Sequence, residues 1–235
     1  MIRAELNKRS PLRIFENSIQ GGLGKGNLGV IASRHGIGKT ACLVHMATDK
    51  LFRQKHVIHI SFSQNVNHVI AWYDNIFKEI SAKRDLEDAL AVRDEIVKNR
   101  VIMNFNQENI SVQQILQSMK TMIVDGGFKA DAIFFDGYTM TTATHEAVER
   151  IKSFAKDMNL EAWFSVSPVV EDVAFDAYGI PETLGSIKDI VDVLIGLRYE
   201  GSDVIMTVVK NHGETDPSKM ALKLDSKTML ISQNN

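Results

Sequence analysis

The sequence predicts an α/β domain in which helices cover both faces of a mostly parallel sheet. Short runs of β-branched and aromatic residues alternate with longer segments of helical periodicity, and these runs are apolar almost throughout. Strands buried on both faces have this composition, because neither face meets water. With 235 residues and 44% hydrophobic residues, the chain has the length and apolar content of one such domain.

The predicted elements alternate along the chain in the order that a parallel sheet requires, since a helix must return the chain to the starting edge. Strands are predicted at residues 27–32, 56–62, 101–105, 132–136 and 161–167. Helices are predicted at residues 39–53, 66–81, 84–98, 111–125 and 144–158.

The two ends of the chain have different patterns. Beyond residue 185, apolar segments at 189–197, 203–209, 220–224 and 229–232 follow one another with short turns, which predicts a C-terminal antiparallel β-meander at the edge of the parallel sheet. Residues 1–20 carry several basic side chains and are predicted to form an N-terminal arm, so that the domain spans residues 21–235.

Composition narrows the class of protein. A net charge of −2 and an isoelectric point near 6.4 give no general attraction to nucleic acid. Cys42 is the single cysteine, so no disulfide framework is expected. The start of the chain is polar, and no apolar run reaches the roughly 18 residues of a membrane span. We therefore expect a cytoplasmic protein without a membrane partner.

Residues 33–40 carry the clearest chemical signal. They read SRHGIGKT, which matches the phosphate-loop pattern G-x-x-x-x-G-K-[S/T] except that serine replaces the first glycine. A strand is predicted before them and a helix after them, so backbone N–H groups and the positive end of the helix dipole would face a polyphosphate. The predicted nucleotide-binding residues are Ser33, Arg34, His35, Gly36, Ile37, Gly38, Lys39 and Thr40.

Two kinds of contact are expected at this loop. Lys39 would contact the β- and γ-phosphates of ATP, and the Thr40 hydroxyl would be a ligand of Mg²⁺. Asp136 ends the apolar run AIFFD, and a carboxylate at the carboxyl end of such a strand lies near the loop. The sequence thus predicts ATP and Mg²⁺ as cofactors, with Thr40 and Asp136 at the metal.

These segments resemble the RecA-like P-loop ATPase superfamily, in particular the ATPase domain of DnaB-type replicative helicases and KaiC-like proteins. The resemblance extends from about residue 21 to residue 230, through GGLGKGNLGVIASRHGIGKTA, the stretch that ends in AIFFDG, and the late strands up to VVKNHGETD. It implies a RecA-like fold, ATP as ligand and assembly into a homo-oligomer, which is a hexamer in relatives.

Two departures concern ATP hydrolysis. Relatives end the strand after the phosphate-loop helix with a glutamate that polarises the attacking water, whereas Ser63 and Gln64 stand there in this chain. Neither side chain is a general base at neutral pH, and general-base catalysis contributes about 10²–10⁴ in rate. Gln64 could still orient a water. Relatives also place a phosphate-sensing glutamine where this chain has Pro168, whose side chain has no donor.

A third departure lies in the late hairpin. Relatives present a lysine and an arginine there to the γ-phosphate on a neighbouring subunit. Lys210 is retained, but His212 replaces the arginine and is mostly neutral at pH 7. Solvated hairpin residues with no role in trans are an equally good interpretation of this pair.

The fourth departure concerns nucleic acid. In helicase relatives, the loops after the aspartate strand and after the sensor strand line a channel with basic residues. Here residues 137–147 and 168–184 contain no lysine or arginine, and the second loop carries four carboxylates. Acidic loops repel a nucleic-acid backbone, so we do not expect translocation on DNA.

The sequence therefore favours an ATP- and Mg²⁺-binding protein with a regulatory or binding role and with weak or no hydrolysis. The alternatives are an active oligomeric ATPase of KaiC-like type and, with less support, a DNA-dependent helicase or helicase-loader relative.

Overall fold

The computed structural model describes residues 10–63, 65–84, 86, 88–106, 110–139, 143–168 and 173–234. A nine-stranded sheet in the order β3-β2-β4-β5-β1-β6-β7-β8-β9 forms the centre of the protein. The strands are β1 Leu28–Ala32, β2 Val57–Ser61, β3 Arg100–Asn104, β4 Ala132–Asp136, β5 Glu161–Val166, β6 Val193–Glu200, β7 Asp203–Asn211, β8 Ser218–Leu224 and β9 Ile231–Gln233. All pairs from β3 to β6 are parallel, and the pairs from β6 to β9 are antiparallel. The predicted fold class is confirmed at this level.

Helices connect the parallel strands, and three of them begin at a side-chain cap. The helices are α1 Leu12–Ser18, α2 Lys39–Phe52, α3 Val66–Lys83, α4 Ala89–Val97, α5 Val112–Lys120 with a π-helical continuation Thr121–Asp125, α6 His145–Asp157 and a 3₁₀ helix Glu182–Ile187. Asn65, Ser111 and Thr144 each accept a hydrogen bond from a backbone N–H in the first turn of α3, α5 and α6. These residues satisfy donors that a helix start leaves unpaired.

Apolar residues on both faces of the sheet explain why helices cover both. Phe134 and Trp163 point into the core on the side of α1, α2 and α3. Their sequence neighbours Phe135 and Phe164 point into a second core on the side of α5, α6 and the 3₁₀ helix, and their rings stack at 4.4 Å. Because successive side chains of a strand alternate between faces, one apolar run supplies both cores.

Residues 10–20 of the predicted N-terminal arm are part of the core in the structure. Leu12, Phe15 and Ile19 are buried, and the Phe15 ring lies 5.7 Å from the Trp163 ring. Spacings of three and four residues place these side chains on one helix face. Residues 1–9 lie outside the described residues.

The predicted C-terminal meander differs from the structure at its first strand. Residues 188–190 form a turn, β6 begins at Val193, and β6 pairs parallel with β1 rather than antiparallel. The long connection from β5 carries the chain back to the starting edge, as a parallel pair requires. In the part of the chain that the structure describes, no helix is long and apolar enough to cross a membrane.

Candidate functional site

The loop at residues 33–40 lies at the carboxyl end of β1, with β5 on one side and β6 on the other. The backbone N–H of Ser33 donates to Val166 O at 3.2 Å, which extends the β1–β5 pairing, and the chain then turns toward α2. Gly36 and Gly38 have φ values of 77° and 109°, a region that glycine adopts without steric cost. These two glycines therefore fit the backbone of the loop.

The backbone N–H groups from Arg34 to Ala41 form no hydrogen bond with any described residue. The N–H groups on either side are bonded, since Ser33 donates to β5 and Cys42 donates to Gly38 O at 3.0 Å. Consecutive unpaired N–H groups at a helix start form a concave site for an anion, and the helix dipole adds to the attraction. The loop thus offers donors that a phosphate can accept from.

The Lys39 ammonium group lies inside this loop. Its Nζ donates to Ser33 O at 3.2 Å, to Ser33 Oγ at 3.0 Å and to Arg34 O at 2.6 Å. Burial lowers the pKa of Lys39 to about 8, although the charge of Asp136 acts in the opposite direction. Ser33 is fully buried, so the serine that replaces the first glycine of the pattern supplies an acceptor for this lysine.

Asp136, at the end of β4, accepts hydrogen bonds from two hydroxyl groups. Thr40 Oγ1 lies 3.0 and 3.1 Å from the two carboxylate oxygens, and Ser165 Oγ donates to Oδ1 at 2.6 Å. Ser165 Oγ also accepts from the N–H of Gly137 at 2.9 Å. The structure therefore brings together Lys39, Thr40 and Asp136, which the sequence predicted to share a site.

Ser165 belongs to this network, and the sequence pattern alone gave it no role. The register pairs Asp136 with Ser165 across β4 and β5, so the two side chains lie on the same face. A prediction of the strand order would have brought them together, because both residues stand near the carboxyl ends of predicted strands. The periodicity of one strand does not reveal its neighbour.

The residues at the departures from the family pattern lie in different places. Ser63 Oγ is bonded to Ser61 Oγ and to Asn65 O, each at 2.9 Å, and Gln64 lies outside the described residues. Pro168 has no side-chain donor, but its carbonyl oxygen lies 2.8 Å from His35 Nε2. The segment after β5 is thus in contact with the loop at residues 33–40, through the His35 side chain.

Lys210 and His212 are not part of the site in this chain. The β6–β7 register places them at the amino edge of the parallel strands, opposite the loop at residues 33–40. Lys210 Nζ donates to Lys188 O at 2.7 Å and to Asp189 O at 3.1 Å, and the N–H of His212 donates to Asp192 O at 2.6 Å. Their role in trans stays a prediction.

The acidic segment after β5 uses one of its carboxylates to shape a turn. Asp176 Oδ1 accepts from the backbone N–H groups of Tyr178 at 2.8 Å and Ile180 at 3.0 Å. Residues 140–142 and 169–172 of the loops compared above with the helicase channel lie outside the described residues.

Comparison of the chain with models of known protein families gave no match, and comparison with curated proteins gave none either.

Proposed function

We propose that the chain is a RecA-like nucleotide-binding protein that holds ATP with Mg²⁺ and acts as a nucleotide-responsive regulator with weak or no hydrolysis. The unpaired N–H groups from Arg34 to Ala41 carry this proposal, because they surround a buried lysine at the start of a helix. A polyphosphate satisfies such donors and neutralises the charge.

The residues present fit a magnesium-bound triphosphate. The N–H groups of the loop and Lys39 would contact the phosphates, and the oxygens of Thr40 and Asp136 are hard ligands of the kind that Mg²⁺ prefers. When bound, Mg²⁺ would neutralise phosphate charge. Ser165 fixes the Asp136 carboxylate through a 2.6 Å hydrogen bond, so the acceptor is already oriented.

Weak hydrolysis is supported by the side chains near the loop. Asp136 is the one carboxylate bonded to a loop side chain among the described residues, and its oxygens are held by Thr40 and Ser165. The Ser63 hydroxyl is bonded to Ser61 and Asn65, and a hydroxyl is a poor base at neutral pH. Activation of a water would therefore need a group other than these.

Calorimetric titration with ATP, in the presence and absence of Mg²⁺, tests the proposal. Lys39→Ala should weaken affinity about 100-fold, which corresponds to roughly 2.7 kcal/mol for the loss of a charged donor. Lys55→Ala is the matched control, because Lys55 is exposed and pairs with Asp131 at the opposite edge of the sheet. Equal affinities of the two variants would contradict the proposed site.

Steady-state phosphate release then separates the regulator from the active ATPase. We expect turnover below about 1 s⁻¹, the low end of typical enzymes, with or without single-stranded DNA. Faster turnover that Lys39→Ala abolishes would make the chain an ATPase. Stimulation by DNA that disappears at higher salt would support the helicase-related alternative.

A further inference from the structure

Two side chains of the phosphate loop contact the segment that follows β5. His35 Nε2 lies 2.8 Å from Pro168 O, and the guanidinium carbon of Arg34 lies 4.9 Å from the centre of the Phe175 ring. Pro168 is buried and Phe175 is half-buried, whereas Arg34 and His35 are largely exposed. The loop therefore touches the β5–β6 connection at two points.

The second of these points belongs to a compact turn, residues 174–182, which we call the Phe175 turn. The N–H of Asp176 donates to Ile180 O at 2.9 Å, and Asp176 Oδ1 accepts from the N–H of Ile180. The carbonyl of Tyr178 approaches β6 at Gly196, where a Cβ atom would lie 2.1 Å from the carbonyl oxygen. The turn is thus internally bonded and fits closely against the sheet, so a displacement at Phe175 acts on the whole unit.

The same loop residue that contacts the turn is bonded to the lysine of the site. Lys39 Nζ donates to Arg34 O at 2.6 Å, the shortest of its three hydrogen bonds. A phosphate that accepts a hydrogen bond from the Lys39 ammonium would compete with this carbonyl oxygen for the same donor. Occupancy of the loop would consequently change the hydrogen bonds of the Arg34 backbone. The guanidinium group of the same residue lies over the Phe175 ring.

We infer that Arg34 and His35 transmit nucleotide occupancy from the phosphate loop to the Phe175 turn. The inference rests on the proposed nucleotide binding and names its response: the turn, with the exposed carboxylates of Asp176 and Glu182, is the surface that changes. Transmission runs from loop side chains to the segment after β5, so it does not depend on a side chain at position 168. Because coupling between two sites is reciprocal, a change in the turn must also alter nucleotide affinity.

Amide hydrogen exchange of residues 173–187, measured with and without ATP and Mg²⁺, tests this inference. In the wild-type chain we expect nucleotide to change exchange of the turn by about five-fold or more, as for a local opening equilibrium that a ligand shifts. In Phe175→Ala and in Arg34→Gln combined with His35→Ala, the change should fall below about two-fold. Each variant is measured at a nucleotide concentration that calorimetry shows to be saturating for it.

A control variant and a second test variant make the result of the exchange experiment clear. Tyr199→Ala removes an exposed aromatic ring of β6 and should retain the full wild-type change. The Arg34→Gln, His35→Ala variant alters only the loop, so it tests the contact even if Phe175→Ala fails to fold.

The possible results have separate meanings. Nucleotide binding without any change in the turn, or a change that persists in the loop variant, overturns the inference and leaves the proposed function standing. Absence of nucleotide binding by the wild-type chain overturns both. Loss of the change in the variants, with retention in Tyr199→Ala, supports transmission through Arg34 and His35.

Discussion

The two edges of the parallel strands differ in how their polar groups are satisfied. At the amino edge, Asp192 accepts from the N–H of Leu28 and from Lys152 Nζ, each at 2.8 Å. Asp131, at the same edge, pairs with Lys25 at 3.4 Å and Lys55 at 3.3 Å. At the carboxyl edge, the backbone N–H groups from Arg34 to Ala41 form no hydrogen bond with a described residue.

This difference teaches that charged residues alone do not mark the candidate site. Among the described residues, the amino edge holds more ion pairs, and these pairs join neighbouring elements of the same chain. The carboxyl edge combines unpaired N–H groups with a buried lysine and a hydrogen-bonded carboxylate. Substitutions at the amino edge should therefore change stability, and substitutions at the carboxyl edge should change affinity for nucleotide.

The largest effect should come from the buried carboxylate that joins α1 to α2 near the amino edge. Asp49 accepts from Ser10 Oγ at 2.6 Å and from the Arg13 guanidinium, and it forms an ion pair with Arg53 at 3.1 Å. Asp49→Ala should lower the free energy of unfolding by about 3 kcal/mol, because Ser10 loses its acceptor and two partly buried guanidinium groups keep only Glu16 as a carboxylate partner. Denaturant unfolding measures this change, and nucleotide affinity should stay within about two-fold of the wild-type value.

A surface ion pair provides the comparison for this variant. Asp74 pairs with Arg93 at 2.8 Å, and both side chains are almost half exposed. Asp74→Ala should cost less than about 1 kcal/mol. If Asp49→Ala weakened nucleotide binding more than it lowered stability, the two edges would not be independent.

The second prediction concerns the pH dependence of nucleotide affinity at the carboxyl edge. Burial lowers the pKa of Lys39 to about 8, so this side chain loses its proton above that pH in the free protein. A phosphate favours the charged form, and binding above pH 8 must therefore take up a proton. Affinity should fall by up to about ten-fold per pH unit between pH 8 and the higher pKa of the complex.

Arginine at the same position separates this titration from other effects of pH. Lys39→Arg should bind nucleotide more weakly at pH 7, because the planar guanidinium does not reproduce the ammonium geometry. Its affinity should not vary between pH 8 and pH 9.5, since arginine stays charged there. A wild-type slope that persists in Lys39→Arg would assign the titration to another group.

The parts of the fold that could be predicted from the sequence are those with a strong local pattern. The strand β4 was predicted at its observed bounds, because five apolar and acidic residues form one uninterrupted buried run. Helix α1 was missed since basic residues around it gave the segment the composition of a solvated arm, although Phe15 is buried. The basic residues of this segment had more influence on the prediction than the short spacing of its apolar residues, which places them on one helix face.

Other features depend on which elements are neighbours, and a single strand does not contain that information. The parallel direction of β6 follows from its pairing with β1, and its composition suits an antiparallel strand equally well. The contact of Arg34 with Phe175 likewise joins residues far apart in the chain. The turn at residues 33–40 between β1 and α2 could be predicted because its glycines, lysine and threonine are contiguous, and its binding of phosphate stays a prediction.

The third prediction tests how the carboxylate of the site is held. Ser165→Ala removes the donor to Asp136 and the acceptor of the Gly137 N–H, which should lower stability by about 1 kcal/mol. The Mg²⁺ concentration for half-maximal ATP binding should rise several-fold, while binding without Mg²⁺ stays unchanged. Ser167→Ala, two residues further along, is the control and should alter neither. Equal losses with and without Mg²⁺ would show that Ser165 does not act through the metal site.

The smallest effect is expected for the hairpin residues at the amino edge. Lys210 Nζ is bonded to the carbonyl oxygens of Lys188 and Asp189, and burial lowers the pKa of Lys210. Because this ammonium lies at the edge opposite the phosphate loop, Lys210→Ala should change ATP affinity less than about two-fold at low protein concentration. His212→Ala should behave in the same way.

Protein concentration provides the test that could reverse this expectation. A lysine that acts on a neighbouring subunit contributes only when chains associate. In that case, turnover per chain would rise with protein concentration in the wild type, and this rise would be absent in Lys210→Ala. We expect phosphate release per chain to stay constant with concentration and equal in both. A rise that Lys210→Ala removes would show that the amino edge of one subunit completes the carboxyl edge of another, and the separation of the two edges would then hold only within a single chain.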